Sequence, residues 1–386
     1  MFNRTGISEL CGRSNIYFLP SLDKFTLPKT YNSHRCVVLC DPRVLQFHAN
    51  ALACFEDKRS YADFIVLDGH EPDAIRVEAI AERARGAGAE VVLSIGGGST
   101  MDTGKGLCQL LRGQVRLPTT FERPGKFDLA SPHLVFPTTS GPGAEVSPAM
   151  VFTGALGRKL AVVDQRLIPR HVYVVPALLA TLPTFETACC LFDGLAHAME
   201  AALRPDCTPA AHIASTSALR GFLTLMHSVC EDPSNLCARE QLAMLSIWSG
   251  EGLRMSAVGA VHALAGTLTE VQPAPHGLQV AAALMALLWE GTDGSAHLGS
   301  LAMQLGFDGQ DALVGELSDC WQRYVACGAN QTWQPSDSMV SACTVALMDD
   351  QRVNFHWSSI DAGCAERAVR RALSMVRTTQ ERRDPN

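Results

Sequence analysis

The sequence predicts an α/β N-terminal domain with a doubly wound, mostly parallel sheet, followed by an all-α C-terminal domain. Between residues 35 and 180, short apolar runs such as RCVVLCD, DFIVLD and EVVLSIGGG alternate with amphipathic stretches such as AIRVEAIAERARGAG. Strands that alternate with helices in this way are typical of parallel sheets with helical crossovers. After about Thr187 the strand patterns cease, and Ala, Leu and Met recur at helical spacing.

The boundary between the two predicted domains falls in ATLPTFET. Pro183 ends one element there, and Thr184 or Thr187 could cap the helix that follows. We therefore expect an α/β domain over residues 1–184 and a helical domain over residues 185–386. A chain of 386 residues with 47% hydrophobic content is long enough to bury a core in each of them.

The composition argues against several classes of partner and location. The net charge is −7, and acidic and basic residues are mixed along the chain, so no basic stripe can neutralise a nucleic acid or an anionic membrane. The 14 cysteines are scattered and never form C-x-x-C, which indicates reduced thiols in a cytoplasmic protein. The longest apolar run, residues 280–289, is about half of a membrane span, so we expect neither export nor a transmembrane helix.

A glycine-rich turn follows the strand in EVVLSIGGGSTMDTGKG and precedes a helical pattern. Gly97, Gly98 and Ser99 would let the backbone approach a ligand closely, and the helix N-terminus would offer free amides to a pyrophosphate. A tight turn that binds nothing is the alternative, and one such turn does not decide between the two. Asp102 and Lys105, one turn apart on the new helix, could contact a cofactor or brace the loop.

A second loop rich in hydroxyls and glycines, PTTSGPGAEVS, follows another apolar strand and contains Thr138, Thr139 and Ser147. Two such loops at the carboxyl ends of parallel strands face one crevice, which is where open α/β sheets bind ligands. The spacing GGGS differs from G-x-G-x-x-G, so the ordinary Rossmann fingerprint does not fit and a distinct nucleotide-binding fold is needed.

Asp41 ends the first strand, in VVLCDP. An acid at this place can accept hydrogen bonds from an adenosine ribose and repel a 2′-phosphate. A turn formed by Asp-Pro is the alternative explanation. Together with the glycine loop, Asp41 favours NAD(H) over NADP(H) as the cofactor.

A carboxylate and three histidines have the spacing of a metal site. Asp193 and His197 are four residues apart on one face of a predicted helix, although such pairs also occur without a metal. His262 and His276 are fourteen residues apart, so the chain can turn back through QPAPHG to bring them together. One Asp with three imidazoles would bind Fe²⁺ or Zn²⁺ and leave room for a substrate oxygen. The other histidines have no partner at ligand spacing and are interpreted as core or surface residues, among them His212, His227 and His297.

These motifs resemble the iron-containing (group III) alcohol dehydrogenase family across nearly the whole chain. GGGSTMDTGK, PTTSGPGAEV and DGLAHAME stand where the family has G-G-G-S-x-x-D-x-x-K, P-T-T-x-G-T-G-S-E-V and D-x-x-x-H-x-x-E, and two further histidines follow, the last before a glycine. The resemblance implies a dehydroquinate synthase-like fold, with an N-terminal nucleotide-binding domain, a helical domain and a catalytic metal in the cleft between them.

The resemblance also implies a role for each matched residue. The cofactor-binding residues would be Gly97, Gly98 and Ser99 at the pyrophosphate, Thr138 and Thr139 near the ribose, and Lys159 at a cofactor hydroxyl. The metal ligands, which are the catalytic residues through the metal, would be Asp193, His197, His262 and His276. Four protein ligands leave open positions on a five- or six-coordinate ion, so Fe²⁺ is favoured and Zn²⁺ is the alternative.

The function implied is that of a metal- and NAD(H)-dependent alcohol dehydrogenase or aldehyde reductase. Such an enzyme moves a hydride between a small primary alcohol or aldehyde and nicotinamide. The run KLAVVDQRLIPRHVYVVPALLATLP resembles branches that act on biosynthetic aldehydes, including phosphonoacetaldehyde reductases. Because the family usually forms dimers or larger assemblies, we also expect a homodimer or a larger homo-oligomer.

The chain departs from the family pattern at Gly266, where a second histidine often follows the third metal ligand by four residues. A proton relay through that histidine is therefore absent or rerouted. Two alternatives remain open: a sugar-phosphate cyclase of the dehydroquinate synthase type, and an NAD-binding protein without turnover. The cyclase would need basic residues around a substrate phosphate, yet no lysine occurs between Lys159 and the C-terminus.

Overall fold

The computed structural model divides the chain into two compact units. One contains Met1–Leu182 with Ser234–Ala243, and the other contains Pro183–Pro233 with Met244–Asn386. The structure describes residues 13–55, 60–69, 71–112, 117, 131–154, 159–290, 295–326, 334–355 and 360–383. The first unit is built on a parallel sheet and the second on helices, which confirms the predicted fold class.

Six parallel strands form the sheet of the first unit, in the order β1-β8-β5-β4-β2-β3. Their bounds are β1 Asn15–Phe18, β2 Cys36–Cys40, β3 Tyr61–Val66, β4 Val91–Gly96, β5 His133–Pro137 and β8 His171–Val174. The inner strands β2, β4 and β5 are buried at every position, because both faces of the sheet are covered. A separate antiparallel hairpin consists of β6 Ala149–Thr153 and β7 Lys159–Val163.

Different layers cover the two faces of the sheet, because alternate residues of a strand point to opposite sides. The helices of this unit are α1 Pro42–His48, α2 Ala74–Gly86, α3 Gly98–Arg112 and α4 Pro176–Leu179. Val37 and Leu39 of β2 belong to the core formed with α2, α3 and the hairpin. Val38 and Cys40 belong to the opposite core, formed with α1, α4 and a group of aromatic rings. The sheet is thus wound on both faces, as the strand and helix rhythm predicts.

The second half of the chain is helical, and no described residue after Val174 lies in a strand. Its helices are α5 Thr184–Leu203, α6 Pro209–Glu231, α7 Leu236–Arg254, α8 Ala260–Val271, α9 His276–Glu290, α10 Ala296–Leu305, α11 Gln310–Cys320, a π-helix Trp321–Ala326, α12 Asp337–Met348 and α13 Ala362–Arg383. Sixteen of the 20 residues of α5 are buried, so it is a core helix with apolar neighbours on nearly every side. Short 3₁₀ helices occupy Leu22–Lys24, Lys29–Tyr31, Ala49–Phe55, Gln165–Leu167 and Gln351–Phe355. Among the described helices, none is both long enough and apolar enough to cross a membrane.

Gly104 lies where α3 packs on β4 and β5 and leaves no room for a side chain. A Cβ atom here would overlap the Ser94 hydroxyl and the His133 imidazole, which hydrogen-bond to each other at 2.8 Å. We expect Gly104→Ala to lower the free energy of unfolding by about 1–3 kcal/mol, the usual cost of overpacking a core. Chemical denaturation beside Gly299→Ala measures this, because a methyl group at Gly299 meets no atom within 4 Å. Equal stability of the two variants would contradict the close packing of α3.

Candidate active site

The four predicted metal ligands come together in the helical unit. Asp193 and His197 are one turn apart on α5, His262 lies at the start of α8, and His276 is the first residue of α9. Ligand atoms of Asp193, His262 and His276 all lie within 4.8 Å of one another. The contacts among α5, α8 and α9 therefore assemble donors that are far apart in the chain.

The distances within this cluster are close to those around a single ion. Oδ1 of Asp193 lies 3.3 Å from Nε2 of His262 and 3.8 Å from Nε2 of His197. Two ligand atoms bound to one ion lie roughly 3.0–3.5 Å apart when each bond is about 2.1 Å long. The rings of His197 and His262 stack with their centroids 4.4 Å apart, so both imidazoles approach the same carboxylate oxygen. His197 does not belong to this group of three residues, and its contact with the group is the one between its Nε2 atom and Oδ1 of Asp193.

Burial and charge together set the protonation of these groups. Burial raises the pKa of Asp193, but the surrounding imidazoles lower it more, so the pKa lies below its ordinary value. Burial lowers the pKa of His197 to about 4, despite the nearby Asp193 carboxylate. Burial also opposes a charge on His262, but the Glu200 and Asp193 carboxylates outweigh it and raise the pKa of His262 to about 9. A metal ion would therefore displace a proton from His262, whereas Asp193 and His197 are already in their ligating forms.

Glu200 was given no role from sequence, yet its carboxylate positions one of the candidate ligands. Oε2 of Glu200 accepts a hydrogen bond from Nδ1 of His262 at 2.6 Å, and Oε1 accepts one from the Val261 amide at 2.6 Å. A proton on Nδ1 leaves Nε2 of His262 directed at Asp193, and carboxylates commonly orient metal-ligating histidines in this way. The spacing of Glu200, three residues after His197, is the feature that could have revealed it, because it lies on the same face of α5.

The two predicted cofactor loops lie against each other in the first unit. Gly96 ends β4, and a Cβ atom there would overlap the Thr100 side chain. At Gly97 a Cβ atom would lie 3.0 Å from Cγ2 of Thr139, and the Thr138 amide donates to the Gly96 carbonyl at 3.1 Å. This close approach places the N-terminus of α3, where the first amides of a helix have no acceptor within the helix, beside the threonines of the second loop.

Four other predicted cofactor residues have structural contacts of their own. Asp41 caps α1, because its Oδ1 accepts from the Arg43 amide at 2.9 Å. Oδ2 of Asp102 accepts from the Val151 amide at 2.9 Å, and Oδ1 accepts from Lys105 Nζ at 3.2 Å, so Asp102 braces the hairpin. The remaining two are paired as well, Ser147 Oγ with the Ala149 amide at 3.0 Å and Lys159 Nζ with Glu71 Oε1 at 2.7 Å. These contacts fit the bracing and capping alternatives, and the cofactor roles stay predictions.

His227, which the sequence gives no partner at ligand spacing, has side-chain partners from a distant part of the chain. Its Nε2 atom lies 3.1 Å from Oε1 of Glu316 and 3.8 Å from Sγ of Cys320. These partners are 89 and 93 residues away in the chain, so local spacing could not reveal them. His212 also has a side-chain partner, since its Nε2 lies 3.0 Å from Oε1 of Gln304.

Comparison with known families accounts for both halves of the chain. The family model of the iron-containing alcohol dehydrogenases matches residues 23–176, and that of the C-terminal part of the Fe-containing alcohol dehydrogenase family matches residues 187–322. The chain belongs to the iron-containing alcohol dehydrogenase family. This membership confirms the resemblance drawn from the motifs and gives no support to the sugar-phosphate cyclase alternative.

The names of its relatives refer to several alcohols and aldehydes. The chain is 29% identical to 1,3-propanediol dehydrogenase of Citrobacter freundii over 219 residues, which are 56% of this chain and 57% of that protein. It is 28% identical to sulfoacetaldehyde reductase of Bilophila wadsworthia over 209 residues, 54% of each chain. The match thus spans just over half the length of these curated relatives. The crystal structure of sulfoacetaldehyde reductase from Bifidobacterium kashiwanohense in complex with NAD⁺ has the same fold, with a TM-score of 0.83 and 19% identity over 94% of this chain and 98% of that one.

The hydrogen bond from His262 to Glu200 should strengthen metal binding. We expect Glu200→Gln to weaken the affinity for Fe²⁺ or Zn²⁺ by about 10- to 100-fold, the usual effect of removing the partner of a ligating histidine. Competition with a chromogenic chelator measures this affinity. Glu366→Gln is the matched control, because Glu366 is exposed and pairs with Arg370 on the surface. An unchanged affinity in Glu200→Gln would show that His262 needs no orienting carboxylate.

Proposed function

We propose that this protein is a metal- and NAD(H)-dependent alcohol dehydrogenase or aldehyde reductase acting on a small primary alcohol or aldehyde. The observation that carries the proposal is the convergence of Asp193, His197, His262 and His276 within the helical unit. A carboxylate and three imidazoles fit a divalent cation with open coordination positions, for which Fe²⁺ is proposed and Zn²⁺ is the alternative. Family membership supports the same reaction class.

The proposed cofactor is NAD(H), bound by the two loops of the first unit. The amides around Gly97, Gly98 and Ser99 would hold the pyrophosphate, because they open α3 at its positive end. Thr138 and Thr139 lie against this turn and would contact the ribose side. The relative from Bifidobacterium kashiwanohense was crystallised with NAD⁺, which supports the choice of nucleotide. The further roles proposed for Asp41, Asp102, Ser147 and Lys159 would each require a cofactor contact beside their present hydrogen bonds.

In the proposed mechanism the metal and the nicotinamide supply the chemistry, and the side chains hold and orient them. When bound, a divalent metal polarises the substrate oxygen and the nicotinamide accepts or supplies the hydride. Asp193 contributes the negative charge that retains the cation, and His197 contributes a neutral imidazole. Glu200 keeps the proton of His262 on Nδ1, so that Nε2 stays directed at the metal position.

We propose that residues 1–184 form the cofactor domain and residues 185–386 the metal and substrate domain. The glycine and threonine loops lie in the first range, and all four candidate metal ligands lie in the second. A homodimer or larger homo-oligomer and a cytoplasmic location complete the proposal. The oligomer is supported by the dimers or larger assemblies that the family usually forms. The cytoplasmic location is supported by the many scattered cysteines of the sequence.

The proposed substrate carries an anionic group, and Arg352 is the residue that supports this. Gly266 lies one turn after His262 on α8, and a Cβ atom at Gly266 would be 3.8 Å from Nη2 of Arg352. The absent side chain therefore leaves a guanidinium beside Gly266, a position whose Cβ atom would lie one helical turn, roughly 6 Å, from the Cβ atom of His262. Asp350 holds this guanidinium through Nε and Nη2. A planar cation in this position favours a sulfonate, phosphonate or carboxylate.

The central test of the function measures metal and turnover together. We expect anaerobically purified protein to hold a metal ion at the Asp193 cluster, one that His262→Ala loses, and to oxidise NADH with small aldehydes. His262→Ala should lower kcat/KM by more than about 100-fold, because it removes a ligand and not merely the partner of one. His297→Ala serves as control, since His297 is an exposed residue of α10. NAD binding without metal and without turnover would instead support the NAD-binding protein.

A second test addresses the anionic substrate. We expect Arg352→Gln to raise KM about tenfold for sulfo-, phosphono- or carboxy-aldehydes and to leave KM for neutral aldehydes of similar length unchanged, because a charge-assisted hydrogen bond is lost. Steady-state kinetics on the paired substrates measures the difference. An equal change for charged and neutral aldehydes would assign Arg352 a structural role only.

A further inference from the structure

A second group of metal-type ligands lies in the helical unit, outside the cluster around Asp193. His227 projects from α6, and Glu316 and Cys320 project from α11, four residues apart on one face of that helix. One ligand atom from each of the three lies within 4.8 Å of the other two. None of the three belongs to the motifs that the proposed dehydrogenase reaction uses.

The spacing of these atoms is that of three corners of a coordination tetrahedron. Nε2 of His227 and Oε1 of Glu316 are 3.1 Å apart, and Sγ of Cys320 lies 3.8 Å from each of them. With ordinary zinc bond lengths, tetrahedral ligands are separated by about 3.3 Å between N and O and by about 3.5 Å between S and either. The three side chains would therefore need to move by only a few tenths of an ångström to share one ion, an estimate from the same bond lengths.

The surroundings of His227 orient its imidazole for metal binding. Tyr324 Oη donates to Oε1 of Glu231 at 3.1 Å, so the tyrosine oxygen is left as an acceptor for Nδ1–H of His227 at 2.7 Å. With its proton on Nδ1, His227 would direct the lone pair of Nε2 towards Glu316 and Cys320. Metal-ligating histidines are usually held by a partner on their second nitrogen in this way.

The backbone and the burial pattern give this cluster a closed side and an open side. Cys320 is buried, and the π-helix begins at the next residue, Trp321, which packs edge-to-face on Phe192 of α5 at 6.1 Å between ring centroids. The side chains of His227 and Glu316 are 38% and 34% exposed, so a fourth position would face solvent. Irregular π turns of this kind frequently occur at functional sites.

The donor chemistry selects among cations. One thiol, one imidazole and one carboxylate form a borderline set that suits Zn²⁺, whereas Mg²⁺ and Ca²⁺ prefer oxygen ligands alone. A cation between the three groups would stabilise the thiolate form of Cys320.

We propose that His227, Glu316 and Cys320 bind a zinc-type divalent cation, with water in the fourth position. This site is separate from the Asp193 cluster and differs from it in containing sulfur. It joins α6 to the end of α11 at the point where the helix widens into its π turn.

Cobalt substitution tests the proposal without any measurement of enzyme activity. Full-length protein is treated with a chelator and a phosphine reductant and is then titrated with Co²⁺. We expect a sulfur-to-cobalt charge-transfer band whose final intensity corresponds to about one cobalt-bound thiolate per chain and which added Zn²⁺ abolishes, because the proposed ligands are one S, one N and one O. The Asp193 cluster has no sulfur and cannot give this band, so His262→Ala should leave the band intact.

Matched variants identify the ligands. Cys320→Ser should abolish the band, and His227→Gln and Glu316→Gln, which keep the thiol, should weaken Co²⁺ binding at least about tenfold. Cys343→Ala, which alters another buried thiol, and His297→Ala should have no effect. A band that survives Cys320→Ser, or a wild-type protein that gives no band, overturns the proposal. Retention of metal at the Asp193 cluster in Cys320→Ser, measured by elemental analysis, shows that the variant is folded.

Discussion

Helix α5 buries two carboxylates and an imidazole on one face, among mostly apolar neighbours, and the packing of the helical unit around it satisfies these polar groups. An isolated charge buried in such a core costs several kcal/mol. His262 contacts both carboxylates, Asp193 through Nε2 and Glu200 through Nδ1. Because Glu200 also accepts from the Val261 amide, the same carboxylate fixes the first turn of α8. The Glu200 carboxylate therefore fixes both the start of α8 and the orientation of His262 in the candidate metal cluster.

A different constraint governs the first unit, where backbone approach rather than charge decides the geometry. The turn after β4 can form only with glycine at Gly96, since any side chain there would overlap Thr100. Thr139 then packs on Gly97, and the Thr138 amide bonds to the Gly96 carbonyl. Small residues in one loop and hydroxyl residues in the next thus bring the carboxyl ends of β4 and β5 together.

The sequence predicts those features of the fold and the site that depend on the spacing of residues within a short segment. The alternation of strand and helix patterns predicts the parallel sheet. The i, i+4 spacing of Asp193 and His197 predicts that these two candidate metal ligands lie on one face of a helix. The glycine and threonine loops are adjacent because their strands are adjacent, which the rule for parallel sheets anticipates. Contacts between distant segments are not visible in such patterns. The pairing of Lys159 with Glu71, and of Asp102 with the hairpin, depends on how β6 and β7 fold back on the sheet.

His227 shows most clearly why local spacing fails. Its partners lie on α11, and only the packing of α6 with the later helices makes them neighbours. The two ligand clusters of the helical unit also differ in a physically consistent way. The buried cluster around Asp193 uses oxygen and nitrogen donors, whereas the half-exposed cluster around Cys320 adds sulfur. Phe192 precedes Asp193 and packs on Trp321, which follows Cys320, so one aromatic contact ties the helices of both clusters into the same core. The two proposed sites, with donors of different softness, would therefore favour different cations.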